Sequence, residues 1–272
     1  MHSALKTIAI SGAGSGLGAA LAHRYGAAGY RVAVTDQHER RAFRVAAELE
    51  AEGFNAWSQA LDVTSAQDWD ALYQRVLTEW GRLDILVNNA GVAAAGRLED
   101  SSLEDWRWVL DTNLVGVVRG CHRFLPLLRE QGSGHIINMA SFAGMMPVPE
   151  MSAYATAKAA VVALSEQLRV DLQGSGVGVS VVCPAFVQTR LLETFRAPDE
   201  RHRKQAERWM ERAAVTAEDV AETVFNAVRD RKFLVLTHRE TRWAWRLRRW
   251  FPERCHRLVV SQTRRLTGGH SK

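Results

Sequence analysis

The first twenty-five residues constrain the fold most. A β-branched run, Thr7-Ile8-Ala9-Ile10, leads into Ser11-Gly12-Ala13-Gly14-Ser15-Gly16-Leu17-Gly18 and then into Ala19-Ala20-Leu21-Ala22-His23-Arg24-Tyr25. The first piece reads as a buried strand and the last as a helix. Glycine at the junction permits positive φ and close backbone approach, and the free N–H groups of a helix N-terminus favour an anion. The junction therefore predicts a phosphate-binding turn. An ordinary Gly-rich turn has the same composition, so the motif needs support from the rest of the chain.

The next units supply it. Tyr30-Arg31-Val32-Ala33-Val34-Thr35 reads as a second strand ending at Asp36, and Glu39–Glu52 as an amphipathic helix. Ala56–Leu61 is a third strand before Asp62-Val63, and Leu83–Val87 a fourth before Asn88-Asn89-Ala90-Gly91. Such alternation predicts an α/β chain: a doubly wound, Rossmann-type parallel sheet of about seven strands with helices on both faces. Ligands bind beyond the carboxyl ends of such strands, where Gly12, Asp36, Asp62 and Asn89 all fall. An acidic residue about 20 positions after the Gly turn is placed to accept from a ribose diol and to repel a 2′-phosphate, which favours NAD over NADP. Arg40 and Arg41 keep NADP open, and a helix N-cap is the plain alternative for Asp36.

Tyr154 and Lys158 are four residues apart, so a helix sets both on one face. A tyrosine hydroxyl titrates near pH 10, and a nearby ammonium favours the phenolate. The pair thus reads as a general acid/base and its tuner, although a desolvated site and a cationic cofactor would have to complete the shift. Surface packing is the alternative for the pair taken alone.

Together, Ser11-Gly12-(x)3-Gly16-x-Gly18, Asn88-Asn89-Ala90-Gly91, Asn113, Ser141 and Tyr154-(x)3-Lys158 resemble the short-chain dehydrogenase/reductase family in order and spacing, over about residues 5–236. The resemblance implies Tyr154 as acid/base, Ser141 as donor to the substrate oxygen and Lys158 as tuner and ribose ligand. It places Asn113 at a distortion of a helix over about 103–131, holding a water beside Lys158. A tolerated polar residue on a helix face is the alternative for Asn113, and Ser152 and Ser165 are weaker rivals of Ser141. Implied cofactor contacts are Gly12, Ser15, Gly16, Leu17, Gly18, Asp36, Asp62, Val63, Asn89, Ala90, Gly91, Tyr154, Lys158, Pro184, Val187 and Thr189, with no metal. Two positions depart from the common pattern. Ser11 stands where Thr is usual, and Ala185 follows Pro184 where Gly is usual.

The remaining strands are read at Gly134–Ala140, Ser180–Cys183 and Phe233–Leu236, and a helix starts through the capping pattern Thr216-(x)2-Asp219. Ala93, Phe142, Met145, Met146, Pro147 and Phe186 are expected to wall an apolar pocket. These walls hold no cation; segment 190–212, with Arg190, Arg196, Arg201, Arg203 and Lys204, could supply one from a mobile lid. The helices carrying Asn113 and Tyr154 have surplus apolar positions, Val117, Val118, Leu125, Val161, Val162 and Leu168; the resemblance implies that these two helices pair across two-fold axes in a homodimer or homotetramer.

Charge separates the chain into two parts. Its net +5 conceals a C-terminal stretch, 239–272, with nine Arg and one Lys against two Glu, leaving the remainder mildly acidic. A nucleic-acid-binding core is therefore not indicated. We read 1–238 as the catalytic domain and 239–272 as a basic helical extension. On a helix over Thr241–Phe251, Trp243, Leu247, Trp250 and Phe251 share a face, which fits peripheral membrane contact through 241–260 or packing on a subunit equally well. Three scattered cysteines, no apolar run of 18 and no signal peptide predict a cytoplasmic chain. The expected activity is hydride transfer between a nicotinamide dinucleotide and a hydroxyl/carbonyl carbon of a lipophilic alcohol or ketone. The alternatives are an NADPH-dependent carbonyl reductase and, from another class, a dinucleotide-binding sensor or membrane-associated scaffold.

Overall fold

The protein's computed structural model describes residues 5–266, with only the backbone described at Arg190 and 262–266. The last six residues of the basic extension, 267–272, lie outside the described residues.

Seven strands form one parallel sheet: β1 (Thr7–Ile10), β2 (Arg31–Asp36), β3 (Ala56–Ala60), β4 (Ile85–Asn88), β5 (Gly134–Met139), β6 (Val177–Val182) and β7 (Leu234–Val235). Their spatial order is β3-β2-β1-β4-β5-β6-β7. The winding reverses between β1 and β4, and it is at such a switch point that the ends of two neighbouring loops part to leave a crevice. β6 starts three residues before the sequence reading and β7 is shorter than it.

The strands are apolar on both sides because helices cover both sides. Ile8 and Ile10 face one layer, made by α1 (Gly16–Ala27), α2 (Glu39–Ala51) and α8 (Ala217–Arg229). Ala9 faces the other, made by α3 (Ala66–Trp80), α5 (Gly116–Glu130) and α6 (Ser152–Asp171). Each fully buried Ile or Leu in these layers is worth about 1.5–3 kcal/mol. The capping pattern at Thr216 is present: its hydroxyl accepts from Asp219 N–H at 3.1 Å, and the Asp219 carboxylate accepts from Thr216 N–H at 3.0 Å.

The long helix expected over 103–131 is interrupted. α4 (Leu103–Leu110) passes into a π-turn over Asp111–Val115 before α5 begins, so the expected distortion is present and Asn113 lies inside it. Helix α7 (Glu200–Glu211) follows the loop after β6, and α9 (Arg239–Trp250) and α10 (Pro252–Leu266) form the described part of the basic extension. Both C-terminal helices dock on the body. Thr241 and Cys255 are buried, and Trp245 packs against the core layer of α3, α5 and α6. Among the described residues no helix is long and apolar enough to cross a membrane.

The expected pairing face on α5 and α6 is largely spent inside the subunit. Val117, Val161 and Leu168 are buried in their own core because they lie on the sheet-facing stripes of their helices. Leu125 and Val162 are partly buried against the same core, and Val118, with neighbouring Val115, is exposed.

Candidate active site

The Gly turn and the loop after β4 are built onto each other. Gly12 has φ +64°, and a Cβ there would lie 2.8 Å from the Cα of Ala90. The Ser11 hydroxyl accepts from the N–H groups of Asn89 at 3.0 Å and Ala90 at 3.1 Å, while Asn89 Nδ2 donates to the carbonyls of Ser11 and Gly12. Serine thus does what threonine would do at position 11. A Cβ on Gly18 would fall 2.2 Å from the Gly12 carbonyl, so the first turn of α1 sits directly on the loop. Gly12, Ser15, Gly16, Leu17 and Gly18 line one end of a cleft, and Ser15, the N-cap of α1, makes no side-chain cap bond. The unpaired N–H groups of this first turn and a glycine-only approach form a donor set that fits a diphosphate.

Asp36 ends β2 at the same end of the cleft, with little exposure. Its carboxylate accepts from Gly14 N–H at 3.2 Å and from His38 N–H at 2.9 Å, so it braces the turn and the entry to α2, whose N-cap is His38. Arg41 lines the cleft but is paired with Glu193 at 2.7 Å, and Arg40 is exposed and outside it. Asp62 and Val63 line the wall beyond β3; the Asp62 carboxylate accepts from the Thr64 N–H and hydroxyl. Asn89, Ala90 and Gly91 line the floor, and Pro184, Val187 and Thr189 the side after β6.

At the other end, α6 presents Tyr154 and Lys158 to the cleft, both buried. Lys158 Nζ donates to the Met139 carbonyl at 2.8 Å and lies 5.9 Å from the Tyr154 ring centroid. Ser141 caps a short 3₁₀ turn, Phe142–Gly144, where its hydroxyl accepts from Ala143 N–H at 3.1 Å. The turn comes so close to α6 that a Cβ on Gly144 would lie 2.5 Å from the Lys158 carbonyl carbon. That contact sets Ser141 beside Tyr154, and it is a requirement the sequence reading missed. A Gly three residues after a candidate serine was the available signal.

Burial governs the titrations. It raises Tyr154 above the usual tyrosine value, while a hydrogen bond with the Ser141 side chain pulls the other way. Desolvation dominates, and the Lys158 ammonium is engaged by the Met139 carbonyl. Burial also lowers Lys158 to about 8, partly opposed by Cys183. The Cys183 thiol, at the end of β6, is pushed up to about 12 by burial, so it is a neutral neighbour at pH 7.

Asn113 does not line the cleft. It is fully buried behind Gly91, and both ends of its side-chain amide bond the main chain of Val92. Ser165 lies on the same helix as Tyr154 but is fully buried against the sheet, accepting from Asn138 Nδ2 at 3.0 Å. Ser152 opens α6 and does not line the cleft.

The cleft has a volume of about 1250 Å³ and is mostly apolar beyond Tyr154. Ala93, Phe142, Met146, Pro147 and Phe186 line it as expected; Met145 does not, because its side chain turns into the core beneath. Segment 190–212 lines the opening and is bridged at Arg196 to the loop after β4. Arg196 N–H donates to the Ala93 carbonyl, and the Arg196 carbonyl accepts from Ala95 N–H. Of its expected cations, Arg196 and Arg201 line the cleft. Arg196 pairs with Asp105 at 2.9 Å, Arg203 donates to the carbonyls of Leu192 and Phe195, Arg201 lies 3.7 Å from Glu150, and Lys204 is exposed. The side chain of Arg190 lies outside the described residues. The extension also contributes: Thr241 and Ala244 of α9 and Val259 of α10 line the cleft, and Cys255 Sγ contacts Met146 Sδ at 4.0 Å. Periodicity gave no sign of these contacts, since an apolar residue on a helix face does not reveal what it packs against.

Comparison with known proteins agrees with this arrangement. Residues 6–200 match the short chain dehydrogenase family. The chain is 37% identical over 234 residues to the probable oxidoreductase EphD of Mycobacterium tuberculosis, covering 83% of this chain but only 40% of that longer protein. It is 36% identical over 200 residues to 3beta-hydroxysteroid dehydrogenase 1 of Eggerthella lenta, covering 72% of this chain and 76% of that one. A short-chain dehydrogenase/reductase of Burkholderia phymatum in complex with NAD superposes with a TM-score of 0.87 at 35% identity, covering 92% of this chain and 94% of that one. Another matching structure, a metagenomic short-chain oxidoreductase, holds NADP. The chain belongs to the short-chain dehydrogenase/reductase family.

Proposed function

We propose that the protein is an NAD(H)-dependent alcohol dehydrogenase/carbonyl reductase acting on a lipophilic small molecule. The observation that carries this reading is the convergence of Tyr154, Ser141 and Lys158 in one cleft with the Gly turn and Asp36. The bound dinucleotide supplies or accepts the hydride. Burial keeps the Tyr154 hydroxyl protonated, ready to give its proton to a carbonyl oxygen; in the reverse direction it takes the proton of the alcohol. Ser141 donates a second hydrogen bond to that oxygen, and Lys158 holds the ribose hydroxyls while its charge favours the phenolate once the proton has left. Gly12, Ser15, Gly16, Leu17 and Gly18 would hold the diphosphate and Asp36 the adenosine ribose. Asp62 and Val63 would flank the adenine, and Asn89, Ala90, Gly91, Pro184, Val187 and Thr189 the remainder of the dinucleotide. Asn113 acts as a positioning residue.

NAD is favoured because Asp36 is held at the ribose end of the cleft and Arg41 is already paired with Glu193. The lipophilic substrate follows from the apolar walls, and the steroid named for the Eggerthella lenta relative has the same character. We take 1–238 as the catalytic domain and 239–272 as an accessory extension. We place the chain in the cytoplasm, as three buried unpaired thiols suit, and in a homo-oligomer whose contact would use exposed Val115 and Val118. Cofactor fluorescence followed against a panel of lipophilic alcohols and ketones, with NAD(H) and NADP(H) in parallel, tests the reading. No turnover of any panel member with either cofactor would overturn it in favour of a binding protein.

A further inference from the structure

The C-terminal helices have two sides with different tasks. α9 packs inward through Thr241, Ala244 and Trp245. Its opposite side presents Trp243 and Trp250, 72% and 75% exposed, with Leu247, Phe251 and nearby Leu258 of α10 also exposed. A contiguous stripe of large apolar side chains left in solvent marks an interaction surface. Charge surrounds it. Residues 239–261 carry seven arginines against two glutamates, Glu240 and Glu253. Among the described residues none of these arginines is ion-paired with a carboxylate; Arg246 and Arg254 lie over the rings of Trp243 and Phe251 instead.

We propose that this side of α9, with the adjoining part of α10, docks on an anionic phospholipid bilayer, α9 lying in the interface plane. Tryptophan is suited to the headgroup level, with leucine and phenylalanine beneath it and arginines reaching the lipid phosphates. The charge selects this partner over a second copy of the chain. A two-fold contact would set the same seven arginines against themselves, with four glutamates to offset fourteen cations. A nucleic acid would answer the charge but would leave Leu247, Phe251 and Leu258 without use.

The inward side of the same helices walls the cleft through Thr241, Ala244 and Val259. Docking α9 therefore holds the apolar cleft one helix away from the bilayer, where a lipophilic substrate is concentrated. This consequence rests on the proposed dehydrogenase reading; the docking surface itself does not.

The test is cosedimentation of the intact protein with phosphatidylcholine vesicles, with and without phosphatidylglycerol, at low and high salt, together with tryptophan quenching by brominated lipid. The expected result is binding to the anionic vesicles alone, weakened by salt, with tryptophans quenched. The triple variant Trp243→Gln, Leu247→Gln, Trp250→Gln should bind at least about tenfold more weakly, with unchanged thermal melting and NAD(H) titration. If that variant melts early, Arg246→Glu with Arg249→Glu, both at exposed positions, should show the same loss. The proposal is overturned if the intact protein ignores anionic vesicles at low salt, or if a folded variant binds them as well as the parent does. Dissociation of the oligomer by the triple variant would overturn it in favour of a subunit contact. Tighter binding to an oligonucleotide than to the vesicles would overturn it in favour of nucleic acid. No arm requires a substrate, so failure to find turnover and failure to bind lipid are separate results.

Discussion

Asn113 closes a two-bond ring with the main chain of Val92: its Oδ1 accepts from the Val92 N–H and its Nδ2 donates to the Val92 carbonyl, each at 2.8 Å. The ring joins the π-turn between α4 and α5 to the loop that carries Gly91. It also fixes the orientation of the Asn113 amide, with one N–H and one carbonyl lone pair each committed to the main chain of Val92.

Asn113→Ala should therefore act first on structure. It leaves a buried N–H and a buried carbonyl without partners, at a cost of about 1–3 kcal/mol for each. Urea unfolding should show this loss, and turnover should fall with the displaced Gly91 loop. Unchanged stability would mean that the Val92 groups find other partners.

Tyr154→Phe removes the transferable proton and little else. Turnover should fall by about 10²–10⁴-fold or more, while NAD(H) affinity measured by calorimetry stays within a few-fold of the parent. Turnover close to that of the parent on the best substrate would remove Tyr154 from the chemistry.

Lys158 gives a pH signature with a definite sign. Burial lowers it from 10.5 to about 8, so the unfolded chain holds this proton over a window in which the folded chain has released it. Stability contributed by this group therefore rises with pH from about 8 to 10.5, and below that window the folded state bears the cost of a buried ammonium. The stability of the parent minus that of Lys158→Met, measured by denaturant titration across the window, should increase. A difference independent of pH would show that Lys158 has an ordinary affinity for its proton.

Cofactor choice should turn on Asp36 and on the pairing of Arg41 with Glu193. The parent should bind NAD(H) more tightly than NADP(H), because a carboxylate facing a 2′-phosphate is a like-charge contact. Asp36→Ser with Glu193→Gln removes that repulsion and releases Arg41, and should shift the preference at least about tenfold toward NADP(H), or ~1.4 kcal/mol. Calorimetric titration of both proteins with both cofactors measures the shift. Equal affinities in the parent would show that Asp36 does not face the ribose.

A chain ending at His238 should keep its dinucleotide site, which uses no residue beyond that point apart from the neighbouring cleft wall. It loses Thr241, Ala244 and Val259 from the wall and the Cys255 contact to Met146. KM for the bulkiest substrates should therefore rise more than kcat falls, with NAD(H) affinity preserved. Loss of NAD(H) binding would show instead that α9 and α10 hold the whole sheet edge in place.

The sequence determined the sheet, its helical layers and the family of the chain, because those depend on local order. Thr7–Ile10 suits a strand buried on both faces, as in a covered parallel sheet, and Gly12 and Gly18 allow the turn that follows. Tyr154 and Lys158 fall on one face because four residues make about one helical turn. Contacts between segments distant in the chain were decided by tertiary structure. Val117, Val161 and Leu168 have the same apolar character as the exposed Val118, and only packing shows that three are core and one is surface. Asn113 is polar wherever it stands, but Val92 must be folded against it before its amide finds these partners. Burial, a property of the whole fold, raises Tyr154 and outweighs the hydrogen bond with Ser141 that pulls the other way, and neither was visible in the spacing to Lys158. The two faces of α9 were likewise legible as a stripe and a remainder. Docking on the body decided that Thr241, Ala244 and Trp245 turn inward and that Trp243 and Trp250 stay in solvent, since a helix buries whichever side its neighbours leave room for.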